Sequence, residues 1–473
     1  MSNPAAALAP HPDRLLPPDP GVRAIARELY DAVRDMPIIS PHGHIPARLL
    51  VDNEPFADPA SLLVTPDHYV TRLLHASGVP LHSLGVGRPP LPEEEARAVW
   101  RLVCEHWSVF RSTPVRYWFD TVLADIFGVT ERPSAKNADA LYDRIAGCLA
   151  REEFRPRALF ERFDIALLAT TDDPIDDLAA HAELAGDPNW TPRVTPTFRP
   201  DRYLDPDFPG WRDAVAKLGE ASGIDTGTYQ GYLHALEDRR RYFIAHGALS
   251  SDHGHPDART DPLAPAEAER IYQDAHLGSA TSESATAFRR HMLLEMARMS
   301  CEDGLVMTLH PGAHRNHHTA SALQYGPDTG SDIPGQTEYT NALRPLLERY
   351  GTHPNLNLVL FTLDETVWSR EIAPLAGFYP SVYIGAPWWF LDAPDAIHRF
   401  HAAVTETAGF SRMSGFIDDT RAFCSIPARH DMSRRLDSAF LAGLVAEHRL
   451  DADEAMTTAV ELVSDNPRRV FKL

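Results

Sequence analysis

Eight short apolar runs recur along the chain, separated by segments patterned as helices, and this alternation limits the fold more than any other feature of the sequence. The runs are residues 36–40 (MPIIS), 164–170 (DIALLAT), 193–198 (RVTPTF), 247–252 (GALSSD), 304–310 (GLVMTLH), 356–362 (LNLVLFT), 381–386 (SVYIGA) and 412–418 (RMSGFID). Parallel strands buried on both faces read as such aliphatic or β-branched runs. The third and fourth are the poorest strands, one carrying Pro196 and the other Ser250 and Ser251. Seven runs end in residues able to do chemistry. The first leads to His42, the second to Asp172 and Asp173, the third to Arg199 and the fourth to Asp252 and His253. The fifth ends at His310, the seventh before Trp388, and the eighth at Asp418 and Asp419. A barrel enzyme carries its active site at the C-terminal ends of its strands. The expected fold is α/β, a (β/α)8 TIM-type barrel.

Well over 100 residues separate the first two runs, too many for one crossover helix. Helical patterns at 93–110 and 137–150 fill the gap. The expected layout is an N-terminal arm and leading helix (1–35), the first barrel strand and loop (36–50), a helical insertion (51–160) and the remainder of the barrel (161–473). A decorated barrel of 473 residues is ordinary. Gly85 and Gly87 lie between Pro-rich turns, so they do not form a nucleotide loop.

Composition excludes several function classes. Lys and Arg number 45 against 66 Asp and Glu, a formal charge of −21. Nucleic-acid binding needs a basic footprint, so no such partner is expected. An anionic substrate stays compatible, because a few Arg in a cleft set the local field. Cys104, Cys148, Cys301 and Cys424 form no CxxC motif and suit a reducing cytoplasm, the expected location. No apolar run approaches the roughly 20 residues of a membrane span, so no membrane partner is expected. The Pro- and Ala-rich N-terminus lacks a basic region and reads as a loose arm, not a signal peptide.

His42-Gly43-His44 follows the first run. Residues i and i+2 of a strand share a face, and two imidazoles so placed can grip one divalent ion. Asp419 ends the eighth run, which lies beside the first once a barrel closes. It completes a His–His–Asp set with positions left for water or substrate. Asp418 rivals it, and helix capping is the plain alternative for either. Of the four histidines in HPGAHRNHH, only His310 sits at a strand end, as a further ligand or an acid–base group. Asp252 and His253 form another candidate pair. Arg199, Arg315 and Arg421 follow strand ends, and arginine grips a carboxylate bidentately. Trp388 offers a face to a sugar ring or a packing role at the rim. Serine-nucleophile (GxSxG), P-loop, dinucleotide-loop and HExxH motifs are absent.

Taken in order, these motifs resemble the uronate isomerase (glucuronate/galacturonate isomerase) family of the amidohydrolase superfamily. The resemblance is carried by PIISPHGH, TPDHYVTRLL (65–74), ATTDDPIDDL (169–178), TFRPDRYL (197–204), SSDHG (250–254), LHPGAHRNHH (309–318), YGPDTG (325–330), GAPWWF (385–390), IDDTRAF (417–423) and the terminal DNPRRVFKL. It implies a barrel whose metal is held by the first-strand HxH and the eighth-strand Asp, here His42, His44 and Asp419. It also implies substrate contacts from a His-Tyr pair, here His68 and Tyr69, and from Arg421. The implied reaction interconverts D-glucuronate with D-fructuronate and D-galacturonate with D-tagaturonate. One divalent cation is expected, zinc first, with manganese or another ion as the alternative. The implied partner is a small-molecule hexuronate, and the implied assembly a homo-oligomer. Gly43, Ile45 and Thr420 stand where the family has Cys, Leu and Ser. His317 and His318 stand where Asn is more common. None is a ligand position, so these changes bear on substrate preference more than on reaction type.

Moving a proton from C2 to C1 needs a base near C2. Asp419 or Tyr69 fills that role, while His68 and the arginines place the sugar and its carboxylate. Two other readings are a hydrolase of the same superfamily, such as a lactonase or deaminase, and a non-catalytic sugar-acid binding barrel. The sixth run ends at Thr362 and Asp364 without a histidine, and no barrel lysine is present for a carboxylated bridge, which argues for one metal.

Overall fold

Each of the eight apolar runs takes up a parallel strand or bridge in the computed structural model, which describes residues 7–88 and 90–473. Strands β1 (Ile38–Ser40), β2 (Ile165–Ala169) and β3 (Arg193–Thr195) lie side by side. Strands β4 (Thr197–Phe198), β5 (Ser250–His253), β6 (Val306–Leu309), β7 (Leu358–Leu360) and β8 (Val382–Ile384) continue in chain order. Every pair is parallel. β3 and β4 are one strand broken at Pro196, which has no N–H for the ladder. A parallel bridge from Asp172 to Phe198 carries pairing across the break. The fourth run, poor by sequence, is a regular strand buried at every position.

The eighth run departs from expectation. It holds a single bridge, Ile384 to Met413. Two residues on, Gly415 takes φ 77°, outside strand conformations, and a Cβ there would lie 2.6 Å from the Pro467 Cδ. The chain then reaches the first strand through the His44 N–H, which donates to the Thr420 carbonyl at 3.1 Å. The result is a (β/α)8 barrel with an irregular eighth strand.

Helix α1 (Pro20–Val33) precedes the barrel. Its N-cap, Asp19, accepts from the Gly21 and Val22 N–H groups at 2.9 Å. Between β1 and β2 come α2 (His68–Ala76), α3 (Glu93–Glu105), α4 (Pro114–Thr121) and α5 (Ala138–Leu149), among shorter helices. Trp100, Phe110, Trp118 and Phe160 from this region share one buried cluster with Ile38, Ile165 and Leu168 of the barrel. Each such side chain contributes about 1.5–3 kcal/mol by leaving water, which seats the helices on the first two strands. A second cluster, with Phe198, Met307, Leu358 and Val382, underlies the remaining strands.

Helix α6 (Ile426–Ala446) is buried along most of its length. The expected loose arm is not loose from residue 7 onward. Leu8 is buried, its N–H donates to the Thr130 carbonyl, and Arg14 pairs with Asp431 of α6 at 2.8 Å. Residues 1–6 of that arm lie outside the described residues. The four cysteines are buried and unpaired. Among the described residues no helix is long and apolar enough to cross a membrane.

Candidate active site

The C-terminal ends of the strands open on a cavity of about 640 Å³. At its floor His42, His310 and Asp419 each offer one ligand atom, and these atoms lie within 4.8 Å of one another. The Asp419 Oδ1 is 3.3 Å from the His42 Nε2 and 2.9 Å from the His44 Nε2. β1 ends at Ser40, so the His-Gly-His segment sits just past the strand, yet both rings meet the same oxygen. The His310 Nδ1 lies 2.6 Å from the Asp252 Oδ1, and its Nε2 is buried without a partner. One ring nitrogen anchored on a carboxylate and the other left over is how metal-binding histidines are held. The Asp419 Oδ1 is buried as well and faces the two imidazole nitrogens of His42 and His44. An orphaned atom such as the His310 Nε2 costs about 1–3 kcal/mol. A divalent cation fits this set of imidazole nitrogens and carboxylate oxygen and would satisfy it.

The electrostatics hold Asp252 and Asp419 ionised, and burial lowers His44 and His310, but at His42 burial is outweighed by Asp252 and Asp419, which raise the imidazole. Burial pushes the Asp252 carboxyl up, but His310 and Arg199 outweigh it and hold it well below the usual carboxylate range. Burial acts likewise on Asp419, where His42 and His44 prevail. Burial lowers the imidazole of His310 against the pull of Asp252. Asp419 adopts φ 41° and Trp389 φ 53°. Left-handed conformations in residues other than glycine cost about 1–3 kcal/mol each and cluster at working sites.

His68 and Tyr69 open α2 because Asp67 caps it, accepting the Tyr69 N–H at 2.9 Å. Their rings stack at 4.8 Å. Burial, helped by Arg421, holds His68 down to about 3, so the ring is neutral. Trp388 stands edge-on to His310 at 4.7 Å. Arg199 lies between Asp201 (3.1 Å) and Asp252 (3.2 Å). Arg421 pairs with Asp328 at 2.8 Å, and Arg315 with Asp332 at 2.9 Å. All of these residues line the one cavity.

Some expectations do not converge there. His253 is turned from the cavity, its Nδ1 3.0 Å from the Thr308 carbonyl. Neighbours in a strand face opposite ways, so Asp252 and His253 cannot act as a pair. Asp418 is buried against His430 at 3.1 Å, leaving Asp419 alone at the mouth. His314, His317 and His318 are exposed. Sequence reasoning missed Asp201, Asp328 and Asp332, which pair with the three arginines. Asp201 opens a short helix and the other two lie in loops, none with a strand-end signal, and the segments TFRPDRYL and YGPDTG were the signs for Asp201 and Asp328.

A family model for glucuronate isomerase matches residues 22–471. A uronate isomerase of Cutibacterium acnes is 55% identical over 473 residues, the full length of both chains. The crystal structure of a glucuronate isomerase from Caulobacter crescentus, 48% identical, superposes with a TM-score of 0.96 over 99% of this chain and 98% of that one. A uronate isomerase from Thermotoga maritima, 28% identical, superposes with a TM-score of 0.91 over 98% of this chain and 99% of that one. With sequence and fold both matching along nearly the whole length of each protein, the chain belongs to the glucuronate isomerase family.

Proposed function

We propose that the chain interconverts hexuronate aldoses and ketoses, D-glucuronate with D-fructuronate and D-galacturonate with D-tagaturonate, by moving a proton from C2 to C1. The observation that carries this reading is the meeting of a His–His–Asp donor set, a Tyr–His pair and three arginines at one barrel mouth. His42, His44, Asp419 and His310 are the residues that would hold the cation, for which zinc is proposed. When bound, it would polarise the sugar oxygens and stabilise enediolate charge. Arg421 and Arg315 grip the uronate carboxylate, and His68 and Trp388 fix the sugar ring.

Asp419 removes the C2 proton. The C–H pair becomes the C1=C2 bond, the carbonyl pair moves to O1, and Tyr69 protonates O1. The enediol then collapses the other way. Tyr69 takes back a proton from the O2 hydroxyl as C2=O forms, and Asp419 returns its proton to C1. Two proton carriers, one at carbon and one at oxygen, fit the two changes the reaction requires.

The test is incubation of cation-loaded protein with both uronates, following ketose formation, with lactone hydrolysis assayed beside it. Asp419→Asn should lose about 10²–10⁴ in turnover, the usual worth of a positioned acid–base group. Full turnover by that variant, or lactone hydrolysis without ketose, sinks the reading.

A further inference from the structure

We infer that Arg429, a residue outside the cavity, positions the Tyr69 phenol and stabilises the negative charge Tyr69 carries while its proton is on the sugar. The inference rests on the role of Tyr69 proposed above. Arg429 projects from α6 and is fully buried. Its guanidinium carbon lies 3.6 Å from the Trp118 ring centroid and 4.7 Å from that of Tyr69. The two rings meet edge to face at 5.4 Å and 87°. A planar cation is thus held against both aromatic groups, and one of them faces the cavity.

The remaining bonds of Arg429 fix its place without exhausting its charge. Nη1 donates to the Asp392 carboxylate at 3.0 Å and points to the Asp418 carbonyl at 3.4 Å. Nε donates to the Ser425 hydroxyl at 3.2 Å. Nη2 is buried with no partner. Asp392 is a weak counter-charge, since burial, opposed by Arg429, raises its carboxyl to about 7. Burying an arginine is unfavourable unless its charge is matched by an opposite one. The cost is repaid where a nearby group becomes anionic. A phenolate ring is richer in electrons than a phenol, so the attraction of a cation on its face grows as the O–H bond of Tyr69 breaks and the new O–H bond forms at O1. An interaction that strengthens only along the reaction lowers the barrier and leaves substrate binding unchanged.

The test is a double-mutant cycle on the full-length, cation-loaded enzyme with D-glucuronate and D-galacturonate as substrates. Arg429→Met should lower kcat at least tenfold with KM within about twofold. Arg429→Lys, which keeps the charge and loses the flat stack, should recover part of that loss. In a Tyr69→Phe background neither substitution should lower kcat further. Additive losses, or a loss expressed in KM, overturn the inference. If Arg429→Met does not fold, the Lys variant completes the cycle and is read the same way. Full kcat in Tyr69→Phe alone would remove the role of Tyr69, a failure seen before any Arg429 variant is measured.

Discussion

Arg421 holds the Asp328 carboxylate at 2.8 Å, and a uronate carboxylate competes for the same guanidinium. Burial raises the Asp328 carboxyl, but Arg421 and Arg315 outweigh it and keep it ionised. Both partners are about one-third exposed, 35% and 34%, so their pair contributes at most ~1 kcal/mol. A bidentate bond to substrate exceeds that. Arg421→Lys should raise KM for uronate tenfold or more, about 1.4 kcal/mol, with a smaller effect on kcat. Asp328→Asn should lower KM. If steady-state kinetics show Asp328→Asn raising KM as Arg421→Lys does, Asp328 orients the arginine and does not compete. At this scale the sequence was informative where chemistry sat at a strand end, as at His42, His310 and Asp419. It was silent on Arg429, which is buried in the first turn of a long helix and gains meaning only from the rings packed on it, and it offered only the YGPDTG segment for Asp328, whose loop has no periodicity to place it.

Between β8 and the loop carrying the tryptophans, Gly385 lets two elements approach. An added Cβ would lie 2.4 Å from the Phe361 Cδ1, and the Phe361 ring stacks on His310 at 4.1 Å and 12°. The ring is buried and backed by the site, so it has no room to yield. Gly385→Ala should therefore cost about 1–3 kcal/mol by overpacking and disturb His310, lowering cation affinity. Urea unfolding and cation content per chain measure the two effects, and a variant matching the parent in both refutes the linkage. The element itself was readable, since SVYIGA is a buried aliphatic run. The eighth strand was misread because RMSGFID has the right residues for pairing but places Gly415 in a left-handed turn that ends the ladder. Alternation of faces, knowable in advance, would have separated Asp252 from His253.

The weakest seam of the whole barrel runs through its active site. Among the described residues no strand pairing joins the eighth position to β1. Closure there rests on the hydrogen bond from His44 to Thr420 and on the contacts of Asp419 with His42 and His44. The meeting of Asp419 with His42 and His44 was legible in sequence, since a closed barrel sets the eighth run beside the first, but the missing ladder at that seam was not, because it follows from the left-handed turn at Gly415. A cation shared by His42, His310 and Asp419 would tie the first, fifth and eighth positions together. A ligand that binds only the folded state stabilises it by about 2.7 kcal/mol at a hundred times its dissociation constant, and the gain should appear first where the ladder is missing. Chelation should lower the thermal midpoint in proportion to the cation removed. It should also speed amide exchange at residues 38–44 and 413–421 ahead of the remaining strands. His310→Ala should abolish both responses. Equal acceleration around the whole barrel would show that the ion serves chemistry alone and that helix packing, not the site, holds the barrel shut.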